Sequence, residues 1–440
     1  MRSLALLLVV AAALLLVLRF YPSSPVEGAG GDPAGAAPAA GFEDQFLADA
    51  LSTGPASATA PASPAPSSPA LASPPSARDA LPPEPPVASA PAPSSAETVL
   101  AGALLHARPG ELAETLAAQK IAGARRTCLE AFAAAIAGDR ERANALAAGL
   151  AAGADLPAEE RQALDLALGE AGAVPRAAPA RTDGPVVLAM RMALLAQEAR
   201  GLLAAGASAA AARDFSELLL LEIEAPWPSD RAVLAAWSEG LAAAQRNHRW
   251  NPRGDWPAVE ITVEEGDHLT AIRKRYLAEH PDRLVCTGLI ARANRIAGPI
   301  HPGDELRIPT EPVHVIVDLG ARWVLYLHGT EVVGAWEVGI GRPGEETVTG
   351  NFVVGEKNED PTWFKLGQDP VPFGDPRNPL GSRWIGWNQG GRPTSYGFHG
   401  TRDPESIGQA ASDGCIRLLD RDVEELFEIL PVGAAIRVQG

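Results

Sequence analysis

The sequence predicts a multidomain chain: an all-α helical region, then a small βααβ domain, then a C-terminal mainly-β domain. Three observations carry this. The composition turns from Pro, Ala and Ser to Ala, Leu, Glu and Arg near Glu97, where apolar residues begin to recur three and four apart. Beyond Pro312 the recurrence becomes every second residue, with Gly-centred turns. At 440 residues the chain also exceeds one ordinary core, since domains cluster near about 100 to 150 residues.

Residues 1–20 hold Arg2, an unbroken apolar run from Leu4 to Leu18, and Arg19. This is the pattern of an export signal or a membrane anchor. No small-x-small cleavage site follows at once and Arg19-Phe20-Tyr21-Pro22 makes an anchor-like edge, so an uncleaved inner-membrane anchor is the favoured expectation. Either reading places the rest of the chain outside the cytoplasm. Residues 21–96 are Pro, Ala, Ser and Gly with almost no large apolar side chains. They bury too little surface to offset ordering entropy and read as an extended, disordered tether.

Residues 97–248 form the helical region. Phe215, Leu218, Leu219 and Ile223 mark one helical face, and Asp155 and Ser229 are expected N-caps. No fixed repeat period is found. A tetratricopeptide-like scaffold for an unknown protein partner and a plain helical spacer both remain open.

Residues 258–309 run from the strand-like Val259–Val263 through a Gly266-Asp267 turn to a helix face of Leu269, Ile272 and Tyr276. A second helix ends at Asn294, and "IHPGDELRIP" is a turn followed by a strand. The signals "ITVEEGDHLTAIRKRY", the Asn of "ARAN" and "IHPGDELRIP" resemble a LysM domain. That resemblance implies binding to N-acetylglucosamine-containing glycans such as peptidoglycan. The connection "LAEHPDRLVCTG" is longer than usual for such a domain.

The net charge of −17, from 37 Lys and Arg against 54 Asp and Glu, argues against a nucleic-acid partner, because a phosphate backbone calls for a basic face. The three cysteines are Cys128, Cys286 and Cys415, an odd number for an exported chain. Cys128 and Cys286 lie in helical patterns and read as small buried hydrophobes. Cys415 sits in "FHGTRDPESIGQAASDGCIRL" with His399 upstream and small residues on both sides. A thiolate is the reactive form of cysteine, so a nucleophilic Cys415 benefits from a nearby imidazole. Gly400 and Gly414 remove bulk beside the two groups, backbone N–H groups near Gly414 can receive an oxyanion, and Ser412 can hydrogen-bond within the turn. The segment from Asn358 to Asn388 is rich in Pro, Gly, Trp and Phe and reads as a long loop lining or covering a site; packing is the favoured role of Trp363, Trp384 and Trp387. His268, His301, His314 and His328 show no metal-ligand spacing, and no metal or cofactor is predicted.

Residues 312–439 resemble the L,D-transpeptidase (YkuD) catalytic domain. The signature H-G-T followed by S-x-G-C-[IV]-R is matched by His399-Gly400-Thr401 and by Ser412-Asp413-Gly414-Cys415-Ile416-Arg417, with "GIGRPGEETVTGNF" and "NPLGSRWIGW" in support. The resemblance implies that Cys415 attacks a peptidoglycan tetrapeptide stem, expels D-alanine, and passes the acyl group from a thioester to an amine, giving a 3→3 cross-link. It implies further that His399 moves the protons, the Gly400 carbonyl orients the ring, Arg417 supports the site, and Tyr396 polarises the scissile carbonyl. Two positions depart from the common pattern. Val348 stands where many members have proline, which is expected to loosen a turn, and Asp413 stands where many have histidine. Hydrolysis of the stem as a carboxypeptidase or endopeptidase is the alternative within the fold, and a non-catalytic wall-binding scaffold is the alternative outside it.

Overall fold

The computed structural model describes residues 95–106, 109–150, 154–169, 179–180, 182–364 and 369–440. The proposed anchor at 1–20 and nearly all of the tether at 21–96 lie outside the described residues. Among those described, no helix is long and apolar enough to cross a membrane.

Among the described residues, eight helices make up the first part: α1 (Ala96–Leu105), α2 (Pro109–Ala118), α3 (Gly123–Ile136), α4 (Arg140–Ala148), α5 (Ala158–Leu168), α6 (Pro185–Ala204), α7 (Ser208–Glu224) and α8 (Arg231–Gln245). The two expected caps are displaced. Asp230 caps α8 by accepting from the amides of Ala232 and Val233 at 2.8 and 3.0 Å, because it stands one residue closer than Ser229. Ser229 Oγ instead donates to the Glu222 carbonyl, 3.2 Å away. Pro157 occupies the N-cap position of α5, leaving Asp155 two residues outside.

The strand–helix–helix–strand unit comprises β1 (Ala258–Thr262), α9 (Leu269–Glu279), α10 (Thr287–Asn294) and β2 (Glu305–Pro309), with β1 and β2 antiparallel. Asn294 locks it: Nδ2 donates to the carbonyls of Ile290 and Arg307, and Oδ1 accepts from the Arg307 amide, each at 2.8 Å. The long connection before α10 has a packing role, since Val285 is buried and the Cys286 thiol donates to the Glu428 carbonyl at 3.1 Å. Val263, Ile272, Leu289, Ile290 and Ile308 share one apolar core with the C-terminal sheet.

That sheet contains β3 (Val313–Asp318), β4 (Trp323–His328), β5 (Glu331–Glu337), β7 (Gly350–Glu359), β8 (Arg383–Gln389), β9 (Arg392–His399), β11 (Ile416–Arg417) and β12 (Ala435–Gln439). Their order is β11-β9-β8-β7-β12-β3-β4-β5. A short parallel pair, β6 (Ile340–Gly341) with β10 (Ala410–Ser412), lies beside it. The sheet curls until its two ends meet: just past β5, Gly339 exchanges two 2.9 Å hydrogen bonds with Arg417 on β11. Helix α11 (Asp420–Ile429) packs across β8 and β9. The carbonyls at its end are occupied by Lys357 Nζ at Phe427 and Leu430, Cys286 at Glu428, and Tyr326 Oη at Ile429.

Strand β5 is an edge, and an open edge presents unpaired amides and carbonyls. Here α7 and α8 cover it. Ser216 Oγ accepts from the Val332 amide at 2.8 Å, Gln245 Nε2 donates to the Val332 carbonyl at 3.1 Å, and Ser238 Oγ donates to the Ala335 carbonyl at 2.7 Å. The helical region is therefore a cover for the sheet edge as well as a unit in sequence. Ser216→Ala strands a buried N–H, and a loss of about 1–3 kcal/mol is expected in chemical denaturation. An unchanged midpoint would mean that the edge is not held by this bond.

Candidate active site

Because β11 pairs parallel with β9, Arg417 lies opposite His399 and Ile416 opposite Phe398, which sets Cys415 at the entry to the same strand pair. The turn before it is fixed by Ser412. This side chain, 1 % exposed, donates to the Cys415 carbonyl at 2.6 Å and accepts from the Gly414 amide at 3.2 Å. Gly414 has φ of 105°, in the region L side chains avoid, and a Cβ there would lie 3.0 Å from the Tyr396 ring. The Gly414 amide is thus engaged inside the turn and is not available to an oxyanion, contrary to the simplest reading of the glycine.

His399 is buried, and its Nδ1 donates to the Gly400 carbonyl at 2.6 Å. That bond places the proton on Nδ1 and leaves Nε2 as the basic nitrogen. Trp384 stacks along the ring with centroids 6.2 Å apart. Burial lowers the His399 pKa to about 4, although the Gly400 carbonyl favours the protonated ring. The Cys415 thiol is partly exposed and donates to the Ser395 carbonyl at 3.5 Å. Desolvation pushes its pKa up to about 11, against the Gly397 backbone and Arg417, which favour the thiolate. The resting pair is accordingly a neutral thiol and a neutral imidazole.

Asp420, at the start of α11, carries no signal in the motif but fixes the histidine loop. Its Oδ1 accepts from the amides of Thr401 at 3.1 Å and Ser382 at 3.3 Å. A Cβ on Gly400 would fall 2.0 Å from the same oxygen, so glycine is required there. An acid opening the helix directly after the cysteine motif is the one hint the sequence contains.

The loop after β6 forms a second wall. Arg342 bonds Asp413 at 2.7 Å, its amide donates to the Ser412 carbonyl at 3.0 Å, and Thr347 Oγ1 accepts from the Gly341 amide at 3.0 Å. Thr347 thus ties a turn that was expected to loosen without proline at Val348. Asp413 is paired with Arg342 and supplies no second imidazole. The Nε of Arg417 is buried without a partner.

Of the tryptophans, Trp387 is core, packed on Phe352 and Phe398, and Trp384 flanks His399. Trp363 bridges to Val371 within the loop before β8, which also exposes Phe364 and Phe373. Cys128 is fully buried, with its thiol pushed to about 12 by desolvation. Among the described residues no group of three or more His, Cys, Asp or Glu is placed to hold a metal ion.

The L,D-transpeptidase catalytic domain (YkuD) family model matches residues 312–438. "Putative L,D-transpeptidase YqjB" of Bacillus subtilis is 36% identical over 141 residues, covering 32% of this chain and 78% of the relative. The chain belongs to the L,D-transpeptidase family. "Putative L,D-transpeptidase YkuD" of B. subtilis is 27% identical over 183 residues, covering 40% of this chain and 96% of that protein. A solved "L,D-transpeptidase from Mycobacterium smegmatis" is 22% identical, covers 31% of this chain and 64% of that one, and has a TM-score of 0.25. The L,D-transpeptidase match begins after β2, so the strand–helix–helix–strand unit and the helices stand outside it.

Proposed function

We propose that the protein is an exported peptidoglycan L,D-transpeptidase in which Cys415 is the nucleophile and His399 the acid–base group. The observation that carries this is the parallel pairing of β11 with β9, which joins the cysteine turn to a histidine whose Nδ1 is held by the Gly400 carbonyl. Cys415 Sγ attacks the carbonyl of the third residue of a tetrapeptide stem while its proton passes to His399 Nε2. Collapse of the tetrahedral intermediate breaks the bond to D-alanine, whose amine takes that proton, and leaves a thioester. A stem amine then attacks, His399 accepts its proton, and the thiol is restored with a 3→3 cross-link formed. The Cys415 amide and the Tyr396 hydroxyl polarise the carbonyl, Ser412 and Gly414 shape the turn, and Arg417 steadies the strand end. Incubation of the full-length chain with purified tetrapeptide muropeptides, followed by mass spectrometry, tests this. Loss of D-alanine with dimer formation is expected, and products that only gain water would assign the protein to hydrolysis.

In this scheme Asp420 is a positioning residue. Asp420→Ala is expected to lower kcat about tenfold or more with little change in KM, because the substrate does not touch it. Asp420→Asn keeps the accepting oxygen and should restore most of the rate; equal losses in both variants would mean that the carboxylate charge itself is needed.

The strand–helix–helix–strand unit at 258–309 serves as a LysM-type glycan tether, on the resemblance of its sequence and its order of elements. Deleting it would open the core it shares with the sheet, so competition is the cleaner test. Soluble N-acetylglucosamine oligomers should slow reaction on intact sacculi and spare a soluble tetrapeptide, since tethering contributes uniform binding and no bond-making. Equal inhibition of both substrates would remove the tether.

A further inference from the structure

We infer that Trp384 and Glu356 form a subsite that selects acyl donors whose third stem residue carries an aliphatic arm ending in a cation, such as the free ammonium of a diamino acid. The inference rests on the reading of Cys415 and His399 given above and adds which donor side chain that pair accepts.

Strands β7, β8 and β9 have one face under α11 and one face turned away from it. Lys357 and Arg383 belong to the covered face: Lys357 Nζ donates to the Phe427 and Leu430 carbonyls, and the Arg383 guanidinium lies 5.4 Å from the centre of the Phe427 ring. The opposite face carries His399 on β9, Trp384 directly across from it on β8, and Glu356 beyond on β7. The indole rests on glycine. A Cβ on Gly397 would fall 2.7 Å from Trp384 Cη2 and one on Gly386 would fall 3.0 Å from its Nε1, so a side chain at either position would lift the ring. Both glycines are buried, while Trp384 stays partly exposed. The indole thereby spans from the His399 ring, with centroids 6.2 Å apart, to Glu356, whose Oε1 accepts from Nε1 at 3.2 Å.

Glu356 is exposed, and among the described residues that bond is its one polar contact; no Lys, Arg or His pairs with it. Glu359 and Asp360, at the end of the same strand, are both approached by Arg383, at 3.6 and 4.0 Å. A neutral indole N–H orients the Glu356 carboxylate without balancing its charge. The shelf therefore ends in an uncompensated anion beside a π-face, an arrangement that attracts an ammonium and repels a carboxylate. The reach also fits. With β8 between them, Glu356 stands two strand spacings, about 10 Å, from the strand that carries His399. In a diamino acid the attacked carbonyl carbon and the side-chain nitrogen are separated by roughly six bonds, each about 1.5 Å, and a salt bridge adds about 2.8 Å. Extended, such an arm covers the distance with its methylenes along the indole. The attacking amine of an acceptor must instead arrive at the carbonyl held by Cys415, so the geometry assigns the subsite to the donor.

The test is single-turnover release of D-alanine by the full-length chain in excess, a step that precedes any acceptor. Three soluble tetrapeptide muropeptides are compared, identical except that the side-chain amine of the third residue is free, acetylated or succinylated. Wild type is expected to acylate on the free-amine donor about tenfold faster than on the acetylated one at limiting concentration, with the succinylated donor slowest and the differences shrinking as salt is raised. In Glu356→Gln the ratio of free to acetylated should fall toward one, and in Glu356→Lys the order of free and succinylated donors should invert. A merely structural role for Glu356 would slow all three donors alike and leave their ratios in place. Equal rates on the three donors in the wild type, ratios retained in Glu356→Gln, or no inversion in Glu356→Lys overturns the subsite while leaving the transpeptidase reading intact. No D-alanine from any donor in the wild type overturns both.

Discussion

Replacing Cys415 by alanine is expected to abolish both D-alanine release and cross-linked product, because no other side chain in the turn can carry the acyl group. Ser412 is the nearest hydroxyl in sequence, but its Oγ is buried and committed at 2.6 Å to the Cys415 carbonyl. The other thiols are poor substitutes: Cys128 is fully buried, and Cys286 is spent on the end of α11. Cys128→Ser and Cys286→Ser should therefore leave turnover nearly intact, although Cys286→Ser disturbs a packed junction. A carbapenem, as a mimic of the acyl donor, should add its mass to the wild type and to both serine variants but not to Cys415→Ala. An adduct on Cys415→Ala, or full activity in that variant, would place the nucleophile on another side chain and overturn the assignment of Cys415.

The parts of the candidate site were legible in sequence because they are contiguous: H-G-T and S-x-G-C-I-R each lie within a few residues, and their small residues report the tight turns directly. What supports those parts was not legible, because it acts across the chain. Asp420 reaches back 19 residues to Thr401 and 38 to Ser382, with no local pattern to announce either bond. Ser216 and Gln245 read as polar positions on helices, where the usual expectation is solvent. They are buried instead because an edge strand 116 and 87 residues away needs their hydrogen bonds. Cys286 was legible as a small buried side chain, while its role as a donor to Glu428 depends on a helix 142 residues distant. The helix periods were readable for the same reason the caps were misplaced by a residue or two: periodicity averages over a whole helix, whereas a cap depends on one local geometry.

His399→Ala is expected to cut acylation and deacylation by about 10² to 10⁴, the usual worth of proton transfer by a positioned base. The electrostatics of the pair specify how. With Cys415 near 11 and His399 near 4, thiolate and imidazolium do not coexist at rest, so the proton must leave sulfur as the C–S bond forms. The base must be unprotonated to act. Its lowered pKa therefore keeps kcat/KM level from neutral pH down to about 5, and the rate should fall tenfold per unit only below about 4. In His399→Ala that acid limb should vanish along with most of the rate. Simple alkylation of Cys415 needs the thiolate alone and should rise about tenfold per pH unit from pH 7 to 10, in the wild type and in His399→Ala alike. An acid limb in kcat/KM near pH 6 to 7, or fast alkylation at pH 6 that is lost in His399→Ala, would mean a preformed ion pair. His399 would then act by holding a thiolate ready, and the thiol would have to turn from Ser395 before substrate arrives.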